Sequence, residues 1–226
     1  MANNRAYLAE FLGTFFLCFA AIAAILSGTP AVGAGGGQLA LALAPGLALA
    51  VAVNAFGGIS GAHFNPAVTI AMAAVRRIGP AAAGVYILVQ LAAAVTATLV
   101  CRAIFPPEAA VQGLLGLPLP QAWVTTGGLL LAEIVMAFLL MIAIYGTAID
   151  DRGRAVKIGG FGIGLTYAVN ILVAGAVTGA SMNPARSFGP ALVSGIWSFH
   201  IYYWIAPIIG ATLGALLYER VLLDRR

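Results

Sequence analysis

The sequence predicts an all-α membrane protein with six transmembrane helices, two re-entrant half-helices and an inverted internal repeat. Of the 226 residues, 62% are hydrophobic and only 8% are charged, whereas soluble domains carry about 25% charged residues. The segment Ser-Gly-Ala-His-Phe-Asn-Pro-Ala at 60–67 returns as Thr-Gly-Ala-Ser-Met-Asn-Pro-Ala at 178–185, with five of eight positions identical. A Pro-rich stretch at 105–123 separates the apolar segments into two groups of three. We therefore expect a single membrane domain over 1–226.

Six apolar stretches are long enough to cross a bilayer, which requires about 20 helical residues. They cover residues 7–27, 39–59, 81–104, 128–149, 158–177 and 200–222. The first repeat then runs from about 7 to 104 and the second from about 128 to 222, joined by a connecting loop at 105–127. Because each repeat contributes three spans, an odd number, the two halves enter the membrane from opposite sides.

Each Asn-Pro-Ala box predicts the start of a short helix, because Asn favours the N-cap and Pro the first helical position. These helices are expected over 65–75 and 183–193, too short to span a bilayer. In an inverted repeat they enter from opposite sides, so their N-termini meet near the midplane. Each N-terminus carries about half a positive elementary charge, which repels cations.

Asn65 and Asn183 are expected to cap these helices through their carbonyl oxygens and to donate from their amides to a solute oxygen. A water molecule that accepts from both amides points its hydrogens outward, which interrupts the chain along which protons hop. Arg186 lies one turn beyond Asn183, where the first repeat has Val68. Because a lone Arg is costly in lipid, we expect it to line an aqueous lumen. The alternative is an Arg that snorkels to the lipid headgroups.

A carboxylate is also duplicated. Glu10 opens the first span within Ala-Glu-Phe, and Glu133 opens the fourth within Ala-Glu-Ile. A buried charge must be paired or hydrogen-bonded, and the half-helix loops offer backbone N–H groups that lipid would leave unsatisfied. Both residues are predicted to be structural buttresses for those loops. The competing interpretation is a proton relay or ion site.

The cations predict the orientation. Nine fall on one side of the six-span arrangement: Arg5, Arg76, Arg77, Arg152, Arg154, Lys157, Arg220, Arg225 and Arg226. By the positive-inside rule they mark the cytoplasm, with both termini there and the protein integral to the cell membrane. The net charge of +4 follows from this topology, so no nucleic-acid partner is expected. The first apolar stretch exceeds the 7–15 residues or so of a signal-peptide core and is expected to be retained.

The twin boxes, read over 61–69 and 183–190 together with the paired Glu residues, resemble the aquaporin (major intrinsic protein) family over essentially the whole chain. The resemblance implies a right-handed bundle with one pore per subunit and a homotetramer. It also implies a passive channel for water and small uncharged solutes that excludes protons and ions. The pore motifs it implies are Asn65, Pro66, Ala67, Asn183, Pro184 and Ala185.

The family's narrow filter has four positions. Counted back from each box by the family's spacing, they fall at Pro45, Ile171, Ala180 and Arg186. Strict water channels usually have Phe at the first position and His at the second, so this constriction is expected to be wider and more apolar. Since proline can kink a helix, Gly46 or Ala44 is the alternative pore-facing residue at the first position.

Different residues resemble two different subfamilies. Ser187 and the pair Tyr203-Trp204 resemble the water-selective branch. The filter and the wording of both boxes resemble the nodulin-like intrinsic proteins, some of which pass glycerol or metalloid hydroxides. The alternative function is therefore a channel mainly for such solutes.

Other polar and aromatic residues leave two readings open. His63 lines a vestibule or is a packed or capping histidine; Asn54 and Asn170 line the pore or bond between helices. His200 is a pH gate or an interfacial residue. The aromatic residues at or near helix ends are predicted to form the interfacial belt: Tyr7, Trp123, Trp197, Tyr202, Tyr203 and Trp204.

Other classes of function are disfavoured. The two histidines lie on opposite sides, and Cys18 and Cys101 have no metal-ligand spacing, so we expect no enzyme, cofactor or metal. An ion-coupled transporter also uses inverted repeats and broken helices, but it needs acids or unwound carbonyls for the driving ion. The expected partners are water, small neutral solutes and the lipid bilayer.

Overall fold

The structure, a computed structural model, describes residues 2–33 and 37–223. Over this part of the chain it contains helices and no strand. The α-helices are α1 (Ala2–Ser27), α2 (Gly37–Ser60), α3 (Pro66–Ala74), α4 (Pro80–Ile104), α5 (Pro107–Gln112), α6 (Thr126–Ile144), α7 (Asp151–Arg154), α8 (Gly159–Thr178), α9 (Pro184–Ser194) and α10 (Tyr202–Leu217). A 3₁₀ turn follows α5 at Leu114–Gly116, and π-helical turns extend α6 and α10 at Tyr145–Ile149 and Tyr218–Leu222.

Six of these helices are long and apolar enough to cross a membrane. They cover Asn4–Ser27, Gly37–Ser60, Pro80–Ile104, Thr126–Ile149, Gly159–Thr178 and Tyr202–Leu222. The predicted spans are therefore confirmed within a few residues, and the chain is an integral multi-pass membrane protein. The predicted connecting loop at 105–127 is partly helical, because α5 begins at a proline that suits a first helical position.

The half-helices begin where the Asn-Pro pairs predict. Asn65 has extended backbone angles and accepts from the Ala67 N–H at the start of α3, which is 9 residues long. Asn183 does the same for the 11-residue α9, accepting from the N–H groups of Ala185 and Arg186. Helix α9 ends at Ser194 and is capped by Gly195, whose φ of +76° is the left-handed conformation that favours glycine.

Small residues let the spans cross closely. A Cβ atom placed on Gly164 of α8 would lie 2.2 Å from the carbonyl oxygen of Gly46 on α2. A Cβ on Gly210 of α10 would lie 2.1 Å from the Ile134 carbonyl oxygen on α6. The small residues of the last span therefore serve a crossing within the chain. Helix α3 packs against α10 and α9 against α4, so each half-helix contacts the other repeat.

A polar cluster gathers at one end of the bundle. Arg77, just beyond α3, forms an ion pair with Glu219, and the Tyr145 hydroxyl donates to the same carboxylate at 3.0 Å. Arg152 pairs with Asp150 at 2.5 Å, and its hydrogen bonds lower the pKa of that carboxyl to about 2. These contacts collect cations from both repeats at one end. Of the predicted cationic side, Arg225 and Arg226 lie outside the described residues.

Candidate functional site

The two boxes meet face to face. The Asn65 amide Nδ2 donates to the Met182 carbonyl oxygen at 2.8 Å, and the Asn183 Nδ2 donates to the Phe64 carbonyl oxygen at 2.9 Å. Each asparagine therefore caps its own helix and bonds to the backbone of the other repeat. Since an amide nitrogen carries two hydrogens, each retains one donor for another partner.

The backbone before each box takes the same unusual course. Gly61 and Gly179 have φ values of +84° and +79°. The residues just before the two asparagines, Phe64 and Met182, also have positive φ values, +50° and +54°. Left-handed angles cost non-glycine residues roughly 1–2 kcal/mol each. The surrounding contacts must hold these loops in place.

Glu10 lies under the first loop. Its Oε1 accepts from the Ser60 hydroxyl at 2.7 Å and the His63 N–H at 2.9 Å. Its Oε2 accepts from the Phe64 N–H at 2.7 Å and the Gln90 amide at 2.8 Å. The carboxylate is fully buried and satisfies two backbone donors of the loop.

Glu133 repeats this arrangement under the second loop. Its Oε1 accepts from the Thr178 hydroxyl at 2.7 Å and the Ser181 N–H at 3.0 Å, and its Oε2 accepts from the Met182 N–H at 2.7 Å. The carboxylate is also fully buried. The duplicated acids thus occupy equivalent positions and bind equivalent loop groups.

Sequence reasoning missed two tyrosines that belong to these loops. The Tyr86 hydroxyl donates to the Ser60 carbonyl oxygen at 2.9 Å, and Tyr203 donates to the Thr178 carbonyl oxygen at 2.5 Å. The assignment of Tyr203 to the interfacial belt is wrong, because its side chain is only 1% exposed and anchors the loop. The signal was available in the repeat, since each tyrosine follows its box asparagine at nearly the same spacing.

A narrow space lies between the two boxes. Asn65 and Asn183 line a cavity of about 10 Å³, together with His63 and Tyr167. A cavity of about 10–15 Å³ is the smallest that holds one water molecule. The site therefore has room for solute in single file at most.

A second cavity of about 90 Å³ lies one helical turn further along α8 and α9. Pro45, Ile171 and Arg186 line it, so three of the four predicted filter positions come together. Gly179 borders this cavity, whereas the side chain of the next residue, Ala180, is fully buried within an apolar cluster.

Pro45, rather than Gly46 or Ala44, lines the second cavity. A Cβ on Gly46 would lie 2.7 Å from the Cβ of Ala168, so Gly46 serves the crossing of α2 with α8. Arg186 is only 5% exposed, and its Nη1 has no hydrogen-bond partner in the described structure. Arg186 thus brings a charged, donor-only side chain to the wall of the cavity. Gln38, which sequence reasoning also missed, lines the same cavity.

The opposite side of the boxes opens into a wider vestibule of about 450 Å³, lined by His63 and Asn54 among others. The Thr69 hydroxyl donates to the Asn65 carbonyl oxygen at 3.1 Å. The His63 Nδ1 lies 3.1 Å from the same hydroxyl. Because the single hydroxyl hydrogen is already used, the His63 Nδ1 carries a hydrogen and donates it to the Thr69 oxygen. The ring also contacts Tyr86 edge-on. His63 is therefore both packed and vestibule-lining.

The remaining polar residues have local partners. Asn54 accepts from the Gly160 N–H at 3.3 Å and lines the vestibule, whereas Asn170 donates to the Met136 carbonyl oxygen at 3.0 Å and ties α8 to α6. His200 accepts from the Trp204 indole at 3.0 Å, and burial lowers its pKa. Among the described residues, no three of His, Cys, Asp and Glu come together as a metal set.

The sequence is similar to those of a known protein family. Residues 1–218 match the family model described as major intrinsic protein. The chain is 38% identical over 221 residues to Aquaporin TIP4-4 of Zea mays, covering 95% of this chain and 85% of the relative. It is 42% identical over 236 residues to Probable aquaporin TIP3-2 of Arabidopsis thaliana, covering 97% and 84%. It is 41% identical over 181 residues to Aquaporin-4 of Rattus norvegicus, covering 80% and 55%.

The fold also matches a solved structure. The X-ray structure of the aquaglyceroporin from Plasmodium falciparum superposes with a TM-score of 0.86 and covers 97% of each chain at 22% identity. At that identity the likeness concerns the fold alone. It agrees with six spans and two half-helices read from the sequence.

Proposed function

This chain belongs to the major intrinsic protein family, and we propose that it is a passive transmembrane channel for water and small uncharged solutes. One observation carries the proposal: two half-helices from opposite repeats meet at Asn65 and Asn183, which line a space the size of one water molecule. Relatives named as aquaporins match nearly the whole chain. No ion-coupling step is needed for such a pore.

The geometry explains how a neutral solute would pass while protons would not. Each asparagine keeps one amide hydrogen for a solute oxygen, because the other is bonded to the opposite repeat. A water oxygen that accepts from both points its hydrogens away along the pore. The positive ends of α3 and α9 meet at the same point and oppose cations and hydronium.

The roles of the individual residues follow from this scheme. Asn65-Pro66-Ala67 and Asn183-Pro184-Ala185 form the central constriction. Pro45, Ile171 and Arg186 form the outer filter, with Gly179 rather than the predicted Ala180 at its edge, and Arg186 is the cation barrier. Glu10 and Glu133 hold the loops, and the buried hydrogen bonds that each accepts support this assignment over a proton relay. His63 lines the vestibule.

Permeation mainly by glycerol or a metalloid hydroxide is the second candidate. The side chains of Pro45 and Ile171 at the outer cavity favour it, because neither is a hydrogen-bonding group nor an aromatic ring that narrows the opening. Both candidates describe the same passive pore and differ only in its width at Arg186.

The assembly and setting are part of the proposal. We expect a homotetramer in the cell membrane, with both termini in the cytoplasm, where the cations clustered near Arg77 and Arg152 would lie. We expect no enzymatic activity and no cofactor. Cross-linking of the protein in native membranes tests the tetramer, and protease accessibility of a terminal tag tests the orientation.

An osmotic assay tests the function. Proteoliposomes exposed to an osmotic jump should shrink faster than protein-free vesicles, with a low activation energy and the same rate with or without an ion gradient. A rate that depends on an ion gradient would instead indicate a coupled transporter. Shrinkage no faster than in protein-free vesicles would refute permeation by water.

A further inference from the structure

Gln38 lies in the first turn of α2, beside the outer cavity. Its amide Nε2 donates a 2.9 Å hydrogen bond to the carbonyl oxygen of Ile171 on α8. It lines the same cavity as Ile171 and Arg186. A polar side chain outside the four predicted filter positions is thus fixed to the backbone of one of them.

The hydrogen bond determines how the amide is oriented. A carbonyl oxygen can only accept, so the NH₂ end of Gln38 must face Ile171. Gly175 provides the space for this contact, since a Cβ at that position would lie 2.8 Å from the Gln38 Nε2. Among the described residues the Oε1 of Gln38 has no hydrogen-bond partner, so it is an acceptor on the other arm of the amide.

Arg186 supplies a hydrogen-bond donor to the same cavity. Its guanidinium only donates, and its buried Nη1 has no hydrogen-bond partner in the described structure. Most of the other lining is apolar, including Pro45 and Leu117. The cavity thus combines one acceptor side chain and one donor side chain with a largely apolar wall.

We propose that Gln38 is a specificity-determining residue of the outer cavity, which with Arg186 favours neutral solutes larger than water that carry both a hydrogen-bond donor and an acceptor, such as urea and glycerol. A solute that leaves bulk water loses hydrogen bonds, and an apolar constriction does not replace them. Gln38 supplies one hydrogen-bond acceptor and Arg186 one hydrogen-bond donor in place of those lost. The inference rests on the proposed channel function, since it concerns the selectivity of the same pore.

The test measures water, urea and glycerol permeability in the same proteoliposomes. Gln38→Met keeps the length of the side chain and removes its amide. We expect urea and glycerol permeability to fall about two- to tenfold, the range that loss of one hydrogen bond gives, while water permeability changes less than about twofold. Gln112→Met is the matched control, because the Gln112 side chain bonds to the exposed Ala31 N–H elsewhere; all three rates should stay unchanged.

A second variant moves the Gln38 side chain without replacing it. Gly175→Ala displaces the amide from Ile171, so it should lower the permeability to urea and glycerol as well. Its effect should not add to that of Gln38→Met. Melting temperatures of all variants, measured in detergent, separate selectivity from loss of fold.

The outcomes are distinct. Equal changes in all three rates, or unchanged urea and glycerol rates in Gln38→Met, would overturn the role of Gln38. A parent protein that conducts water but neither urea nor glycerol would overturn it too, while leaving the channel intact. Only a parent that conducts none of the three would refute the proposed function itself.

Discussion

At the scale of single residues, the two buried carboxylates need compensation from their surroundings. Glu10 and Glu133 lie in an apolar interior, where an unsatisfied charge would be prohibitive. Each is compensated by backbone N–H groups of a loop that itself adopts left-handed angles. The acid and the strained loop therefore stabilise each other.

Removal of one carboxylate tests this coupling. Glu133→Leu should destabilise the protein by about 1–3 kcal/mol for each loop N–H left buried and unpaired, and Glu133→Gln should be intermediate because one acceptor remains. Thermal melting in detergent measures the effect. Glu108→Leu, at an exposed position on α5, should melt like the parent. A Glu133→Leu protein that melts and conducts like the parent would show that the carboxylate does not hold the loop.

Arg186 supplies the fixed charge at the outer cavity. Arg186→Val should raise the leak of protons or small cations while water flux persists, because the half-helix dipoles remain as a partial barrier. A pH-sensitive dye inside proteoliposomes measures the leak. The same change at the exposed Arg102 is the control and should leave it at background. A leak that stays at background in Arg186→Val would exclude Arg186 as the outer barrier.

The outer filter also sets the width of the pore. Pro45→Phe combined with Ile171→His introduces a ring and an imidazole at the cavity wall, so glycerol flux should fall while water flux remains. Stopped-flow light scattering with each solute gives the ratio of the two rates. Circular dichroism checks that the helix content of the protein is unchanged without the proline. A parent that passes no glycerol at all would contradict the wide filter.

At the scale of elements, the crossing of α2 and α8 depends on glycines that admit no side chain. Gly164→Ala would place a methyl 2.2 Å from a carbonyl oxygen of α2, so the helices must separate, at a cost of about 1–3 kcal/mol. Gly84→Ala on α4 is the matched control, because nothing lies within 4 Å of its Cβ position, and it should melt at or slightly above the parent temperature. Equal melting of both variants would mean that the crossing is not tightly packed.

The elements also show what the sequence could reveal. Hydropathy and length predicted the six spans, and the Asn-Pro pairs predicted where α3 and α9 begin, because these signals are local. Gln90 and Gln38 could not be found in this way, since each acts through a partner on another helix. The duplication was the one long-range signal. It identified the acids, and the similar spacing of Tyr86 and Tyr203 from the two asparagines belongs to the same signal.

The subfamily is the least determined inference from the sequence. The wording of the boxes resembles nodulin-like proteins, whereas the relatives reported above carry TIP and Aquaporin-4 names. The boxes cover only a small part of the chain, and their residues serve helix capping and contacts between the repeats. Box wording is therefore a weak guide to the solute, and the nodulin-like resemblance stays a prediction.

At the scale of the whole molecule, the repeat brings two helix starts to one point inside a membrane. Helix α3 contacts α10 and α9 contacts α4, so neither half of the chain completes the constriction alone. The vestibule, the space between the boxes and the outer cavity follow one another along the same helices. This order is that of a pore with a narrow polar centre.

We expect this pore to separate water from protons, and both permeabilities can be measured in one preparation. Proteoliposomes that contain a pH-sensitive dye are given first an osmotic jump and then a pH jump. We expect water permeability well above that of protein-free vesicles and proton permeability equal to theirs, since the amides of Asn65 and Asn183 and the half-helix dipoles act at the same point. Water permeability at the protein-free level, or proton permeability that rises together with that of water, would contradict the account.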